Sequence, residues 1–80
     1  MIIKILAFGV ARDVLGQREN LVEVPDVCDT EVLRALLEER YPSLKGLLSY
    51  SISVNRTYVE GATPISATDE VAIIPPVSGG

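Results

Sequence analysis

Histidine is absent from this 80-residue chain, which removes the commonest general base and the commonest metal ligand. Without it neither a Ser-His-Asp set nor a Cys-His pair can be assembled. No glycine-rich phosphate loop of the Walker or dinucleotide type occurs either. No metal site and no bound cofactor are therefore expected on the chain. Cysteine is nearly absent as well. Cys28 stands alone, so no internal disulfide can form, and a reducing compartment is the simplest reading. Basic charge is scarce: seven Lys and Arg face eleven Asp and Glu, for a net charge of −4. The basic residues are scattered and form no stripe for phosphate contacts, so nucleic-acid binding is not expected. A basic protein partner suits the charge better. Long apolar runs are also lacking. Residues 1–10 are apolar but too short for a membrane span, and no cleavage-site pattern clearly follows. The expectation is a soluble, cytoplasmic protein without membrane contact.

What is present suffices for one small domain. Hydrophobic residues make up 48% of the chain, enough for a core and too many for a disordered segment. Residues 2–9 are β-branched and apolar, broken only by Lys4, and read as a buried strand. Residues 10–15 suit a short helical turn stopped by Gly16. Leu21, Val22 and Val24 mark a second strand ending at Pro25, joined to the first as an antiparallel hairpin with a wide loop. Asp29 or Thr30 then caps a helix running to about Arg40, with Val32, Leu33, Leu36 and Leu37 on one face and Pro42 beyond its end. Leu44, Leu47 and Leu48 are expected to pack under it. Tyr50, Ile52 and Val54 alternate with polar residues as a half-buried strand, and Asn55-Arg56 makes a tight turn into the short return strand at residues 57–59. Gly61 and Pro64 punctuate a loop, and Thr68-Asp69-Glu70 turns into a last strand at residues 71–74.

The order strand, strand, helix, strand, short strand, strand is an α+β arrangement: one mixed sheet over one main helix, as in the ubiquitin-like β-grasp. The first and last strands, both continuously apolar, would lie side by side at the sheet centre. The expected division is a folded domain over residues 1–76 and a flexible C-terminal tail over residues 77–80.

That tail carries the chemistry. The sequence ends Pro75-Pro76-Val77-Ser78-Gly79-Gly80, and a Gly-Gly ending arises by chance in roughly 0.5% of chains at average glycine usage. A glycine beside a carboxylate has no Cβ, so a second active site can approach from either face. Pro75 and Pro76 lack an N–H, end sheet pairing and favour an extended exit. The four residues beyond them could reach roughly 13–14 Å, long enough to thread a channel in a partner. The paired acids Glu38-Glu39 and Asp69-Glu70 read as helix surface and turn. Cys28, just before the helix cap, reads as a small packed hydrophobe.

Three stretches resemble the sulfur-carrier subunits of molybdopterin synthase, within the ubiquitin-like sulfur carriers. They are residues 5–16, beginning Ile5-Leu6-Ala7-Phe8-Gly9; the hairpin Val54-Asn55-Arg56-Thr57-Tyr58-Val59; and above all Asp69-Glu70-Val71-Ala72-Ile73-Ile74-Pro75-Pro76-Val77-Ser78-Gly79-Gly80. Where some members carry aromatics, this chain has Ile73-Ile74. The resemblance implies that the Gly80 carboxylate is adenylated by a ubiquitin-activating-like adenylyltransferase using ATP and magnesium. A sulfurtransferase then supplies the sulfur of a Gly80 thiocarboxylate. Residues 75–80 would be presented to a large synthase subunit, in a heterotetramer of two small and two large subunits. Sulfur would pass there to cyclic pyranopterin monophosphate, with the active site on the large subunit. It implies too that Phe8, Tyr58 and Ile74 form an apolar patch for docking partners, with Arg12 at its rim. Taken only as apolar strand residues, Phe8 and Ile74 would instead be core. A carrier for thiamin or tRNA thiolation, a ubiquitin-like protein modifier, and a binding module with an inert tail are the other readings of the same residues.

Overall fold

The computed structural model describes residues 1–46 and 50–75. Seven strands, two helices and a 3-10 turn follow one another along them: β1 (Ile2–Ala7), α1 (Gly9–Leu15), β2 (Glu19–Glu23), β3 (Cys28–Asp29), α2 (Thr30–Arg40), the 3-10 turn (Pro42–Gly46), β4 (Ser51–Val54), β5 (Thr57–Tyr58), β6 (Pro64–Ile65) and β7 (Glu70–Ile74). Five strands form a mixed sheet in the order β2-β1-β7-β4-β5, the ubiquitin-like β-grasp. β1 and β7 are parallel neighbours, in register from Lys4 opposite Glu70 to Ala7 opposite Ile73. β2 pairs antiparallel with β1, and β4 with both β7 and β5.

The side-chain alternation of strands decides which face meets the helix. Ile3, Ile5 and Ala7 of β1, Val22 of β2, Ile52 of β4, and Val71 and Ile73 of β7 point into the core, where Leu33 and Leu37 of α2 and Leu44 of the 3-10 turn meet them. Each such fully buried aliphatic contributes about 1.5–3 kcal/mol over exposure. The Asp29 side chain accepts a hydrogen bond of 2.9 Å from the Val32 N–H and caps α2, worth about 1 kcal/mol. The apolar stripe of α2 is narrower than expected. Leu33 and Leu37 are buried, Leu36 is partly buried, but Val32 is 40% exposed. The seam facing the sheet is the i, i+3, i+7 row of Thr30, Leu33 and Leu37, and Val32 falls on its flank.

Other boundaries also differ from the sequence expectation. β1 stops at Ala7 rather than residue 9, because Phe8 leaves the ladder as the extended N-cap of α1. Gly16, with φ +92°, closes α1 by donating its N–H to the Arg12 carbonyl at 2.8 Å. The segment around Pro64, expected as loop, pairs as β6 with β3 in a separate two-stranded sheet. It is tied down by buried Thr30, whose Oγ1 donates to the Gly61 carbonyl at 2.6 Å and accepts from the Thr63 N–H at 3.1 Å. Of the leucines expected beneath α2, Leu44 is buried there; Leu47 and Leu48 lie outside the described residues. So does the expected boundary at residue 76. Cys28 is buried, and burial pushes its thiol above the ordinary value, with the Asp29 carboxylate adding to the effect. The thiolate is disfavoured, as for a packed hydrophobe.

Tyr50 links α2 to β4. Its hydroxyl donates to Glu38 Oε2 at 2.6 Å, and the Arg34 guanidinium lies 4.7 Å from its ring centre. Burial first, and the hydrogen bond to the carboxylate second, push the phenol from 10.0 up to about 12. A folded-state pKa above the unfolded value means stability that is complete below the unfolded pKa and lost as pH rises through the folded one. Wild type should therefore lose urea resistance between pH 10 and 12 faster than Tyr50→Phe. Parallel losses in the two proteins would show that Tyr50 carries no such coupling.

Candidate functional site

The face of the sheet away from α2 carries a groove of about 370 Å³. Its floor follows from register. Leu6, Ala72, Ser53 and Tyr58 stand in one row across β1, β7, β4 and β5, and the two central residues of the row are small. Ala72 is 7% and Ser53 5% exposed although both face away from the core, as small side chains between two flanking strands. Phe8 and Ile74 form the wall where β1 and β7 end, and Arg18, Arg56 and Glu70 supply charge around the rim.

Each wall is held by local structure. Arg18 is placed by its own carbonyl, which accepts from the Ala7 N–H at 2.8 Å and sets the Arg18 guanidinium 5.5 Å from the Phe8 ring centre. Such a cation–π contact is worth about 0.5–1 kcal/mol at an exposed site. Tyr58 is presented by the turn Val54-Asn55-Arg56-Thr57, whose central residues both have positive φ, +52° and +67°, the geometry that matches strand twist. Asn55 also clips that turn to the one before β7. Its amide nitrogen donates to Asp69 Oδ1 at 3.0 Å, and its amide oxygen accepts from the Glu70 N–H at 2.9 Å. The Ser66 N–H, donating to Asp69 Oδ2 at 2.8 Å, and after it the Asn55 amide hold the Asp69 carboxyl below its ordinary value. Arg56 Nε lies 3.4 Å from Glu70 Oε2.

Of the residues expected to dock partners, Phe8, Tyr58 and Ile74 line this one groove. Tyr58 is 66% and Phe8 37% exposed, so neither is a core side chain. Arg12 does not line it. It sits on α1 beside a shallow depression with Gly9, Asp13 and Gly16, and Arg18 is the arginine that stacks on Phe8. Arg18, Ser53 and Ala72 were missed in the sequence; the signal for the last two was their place in the outward-facing alternation of β4 and β7. At the root of the tail, Pro75 packs on Gly9, which has φ +54°; a Cβ built there would lie 3.2 Å from Pro75 Cγ. Pro76, Val77, Ser78, Gly79 and Gly80, expected to carry the reactive end, lie outside the described residues.

Chemically, the groove offers aromatic and aliphatic anchors with both signs of charge at the rim. Among the described residues no cluster of three acids or cysteines could hold a metal ion, and no helix is long and apolar enough to cross a membrane. The arrangement suits recognition of another protein. The model of the ThiS family matches residues 5–80. The chain belongs to that family. It is 37% identical to the molybdopterin synthase sulfur carrier subunit of Chlamydomonas reinhardtii, with 100% of both chains covered. It is 36% identical to that of Caenorhabditis briggsae, covering 98% of this chain and 96% of the relative. Among solved structures, the complex of subunits 1 and 2 of molybdopterin-converting factor from Helicobacter pylori contains a chain with TM-score 0.70 and 25% identity, covering 100% of both. The small archaeal modifier protein 1 of Methanosarcina acetivorans has TM-score 0.77 and 26% identity, covering 99% of this chain and 96% of that one.

The left-handed Arg56 makes the turn beside the groove testable. A non-glycine residue there costs about 1–2 kcal/mol, and an exposed ion pair such as Arg56–Glu70 returns little. Arg56→Gly should therefore stabilise the protein by about 0.5–1 kcal/mol, after glycine's greater unfolded-state freedom is subtracted. Urea denaturation measures this. A lower midpoint for the variant would show that the Glu70 contact outweighs the backbone strain.

Proposed function

We propose that this chain is the sulfur carrier of a molybdopterin synthase. The observation that carries this is the end-to-end likeness to two sulfur carrier subunits of that synthase, with the family match running through residue 80. The groove supports it: a recognition surface whose Phe8–Ile74 wall adjoins the point where the chain leaves β7.

In this mechanism the Gly80 carboxylate attacks the α-phosphorus of ATP, with magnesium, on an adenylyltransferase, and pyrophosphate leaves. The acyl adenylate makes an inert carboxylate electrophilic. The terminal sulfur of a sulfurtransferase persulfide attacks its carbonyl carbon and AMP departs; a thiol then attacks the cysteine sulfur of the resulting acyl disulfide, forming a new disulfide and releasing the thiocarboxylate. The tail then enters the large synthase subunit, where the thiocarboxylate sulfur bonds to cyclic pyranopterin monophosphate and water cleaves the resulting thioester, leaving sulfur on the pterin and a carboxylate on Gly80. A dithiolene contains two sulfurs, so each pterin consumes two loaded carriers, and a heterotetramer of two small and two large subunits must exchange spent carriers for loaded ones. The base chemistry belongs to the partners, and a cytoplasmic location supplies ATP and reduced sulfur together. The Helicobacter pylori neighbour, a complex of two subunits, supports a large-subunit partner, and the groove is the surface this reading assigns to it.

The Methanosarcina acetivorans neighbour supports a second reading, in which Gly80 is joined to lysines of other proteins. Intact mass spectrometry separates the two. Incubated with its adenylyltransferase, ATP, magnesium and a sulfur donor, the chain should gain the mass of one sulfur in place of one oxygen. A persistent carboxylate under those conditions, or full synthase activity after deletion of Gly80, overturns the carrier assignment. Lysine-linked adducts in cell extracts would establish the modifier instead.

The groove gives an independent check. Ala72→Leu fills the floor on the sheet face opposite the core. It should weaken binding to the large subunit about tenfold or more, as expected for loss of a central pocket, with little change in melting temperature. Unchanged affinity by calorimetric titration would remove the groove from the docking interface.

A further inference from the structure

The packing of Pro75 on Gly9 joins the root of the tail to the groove, and nothing in the chemistry above makes use of it. The β1–β7 ladder ends with Ala7 opposite Ile73; continued by two places, its register sets Gly9 opposite Pro75. Proline has no N–H with which to extend a ladder, so the two segments meet there through packing alone. Glycine satisfies two separate demands at this place. Its φ of +54° lies where L side chains are strained. A Cβ would also approach Pro75 Cγ to 3.2 Å, inside the roughly 3.5–4.0 Å at which carbon atoms attract. The preceding residue, Phe8, is part of the groove wall. A partner bearing on Phe8 therefore bears on the same stretch of backbone that seats Pro75.

We propose that Gly9 is a positioning residue: by seating the Pro75 ring against a bare Cα, it sets the direction in which the chain leaves β7 toward Gly80. The proposal rests on the sulfur-carrier assignment for its chemical consequence. Reaction at Gly80 needs the carboxylate delivered in line with the attacked phosphorus; a Cβ at residue 9 makes the Pro75 ring give by a few tenths of an ångström, and rate falls steeply with misplacement, about a hundredfold at 1 Å even when it arises far from the chemistry. A displaced ring at residue 75 would act in this way while leaving the groove free to bind.

Gly9→Asn tests this, because asparagine tolerates positive φ and so adds the Cβ with little backbone strain. The double variant Gly9→Asn/Pro75→Ala then removes the ring it would strike. In wild type, a nuclear Overhauser contact is expected between the Gly9 Hα and Pro75 Hγ protons, and in Gly9→Asn the amide signals of residues 77–80 should shift. With the adenylyltransferase, Gly9→Asn should keep its melting temperature, and its KM within about twofold, while kcat for ATP–pyrophosphate exchange falls about tenfold or more. The double variant should recover most of that loss, as interacting neighbours do in a mutant cycle. A missing Overhauser contact, an unchanged kcat, or a fall in kcat that the double variant does not relieve overturns the proposal. If wild type itself is not activated, the carrier assignment fails, and the Overhauser contact and the tail amide shifts alone decide whether Gly9 seats the tail.

Discussion

The parallel pairing of β1 with β7 at the middle of the sheet is the constraint on which the other parts hang. Both strands are flanked on each side by another strand, so their backbone groups are satisfied within the sheet, and both send β-branched side chains under α2. Their common direction makes them finish at the same edge. Phe8 and Ile74 therefore emerge together, and so do Gly9 and Pro75. The groove on the outer face and the place from which the chain leaves β7 are two products of one register.

That register also explains why the outer face is grooved rather than flat. Side chains opposite one another across strands sit about 4.5–5.5 Å apart. A row with small residues at its centre and large ones at its ends must sink in the middle. Ala72 and Ser53 make the depression, Leu6 and Tyr58 bound it along the row, and Asn55 stiffens one end by tying two turns together. The polar rim keeps the face wettable in the free chain.

Much of the scaffold was legible in the residues. The apolar runs of β1 and β7, the capped helix from Asp29, the alternation of β4 and the Asn55-Arg56 turn all follow local rules of period and turn chemistry. The two-residue strands β3 and β6 are too short to show a period. The exposure of Val32 depended on which row of α2 the sheet would meet. At the site, the clustering of Phe8, Tyr58 and Ile74 came from resemblance. The replacement of Arg12 by Arg18 beside Phe8 required the β1–β2 pairing, since Arg18 reaches the ring only because its carbonyl binds the Ala7 amide. The groove floor was half legible for the same reason: alternation turns Ala72 and Ser53 outward, but no local pattern says that they will stand side by side.

The pairing of Lys4 with Glu70 joins the opening of the sequence to its closing stretch, and this long-range closure has a consequence for synthesis. β1 leaves the ribosome before every other strand of this sheet, and its central neighbour β7 comes last of the five. Until then the sheet is split, with β4 and β5 lacking the strand that connects them to β1 and β2. Contacts of such high order form late and slowly. The groove, floored by residues from four strands, comes into being only with β7, whose last residues lead directly into the tail. A half-made chain thus has β1 and β2 but no groove beside them. The groove is a property of the finished sheet alone.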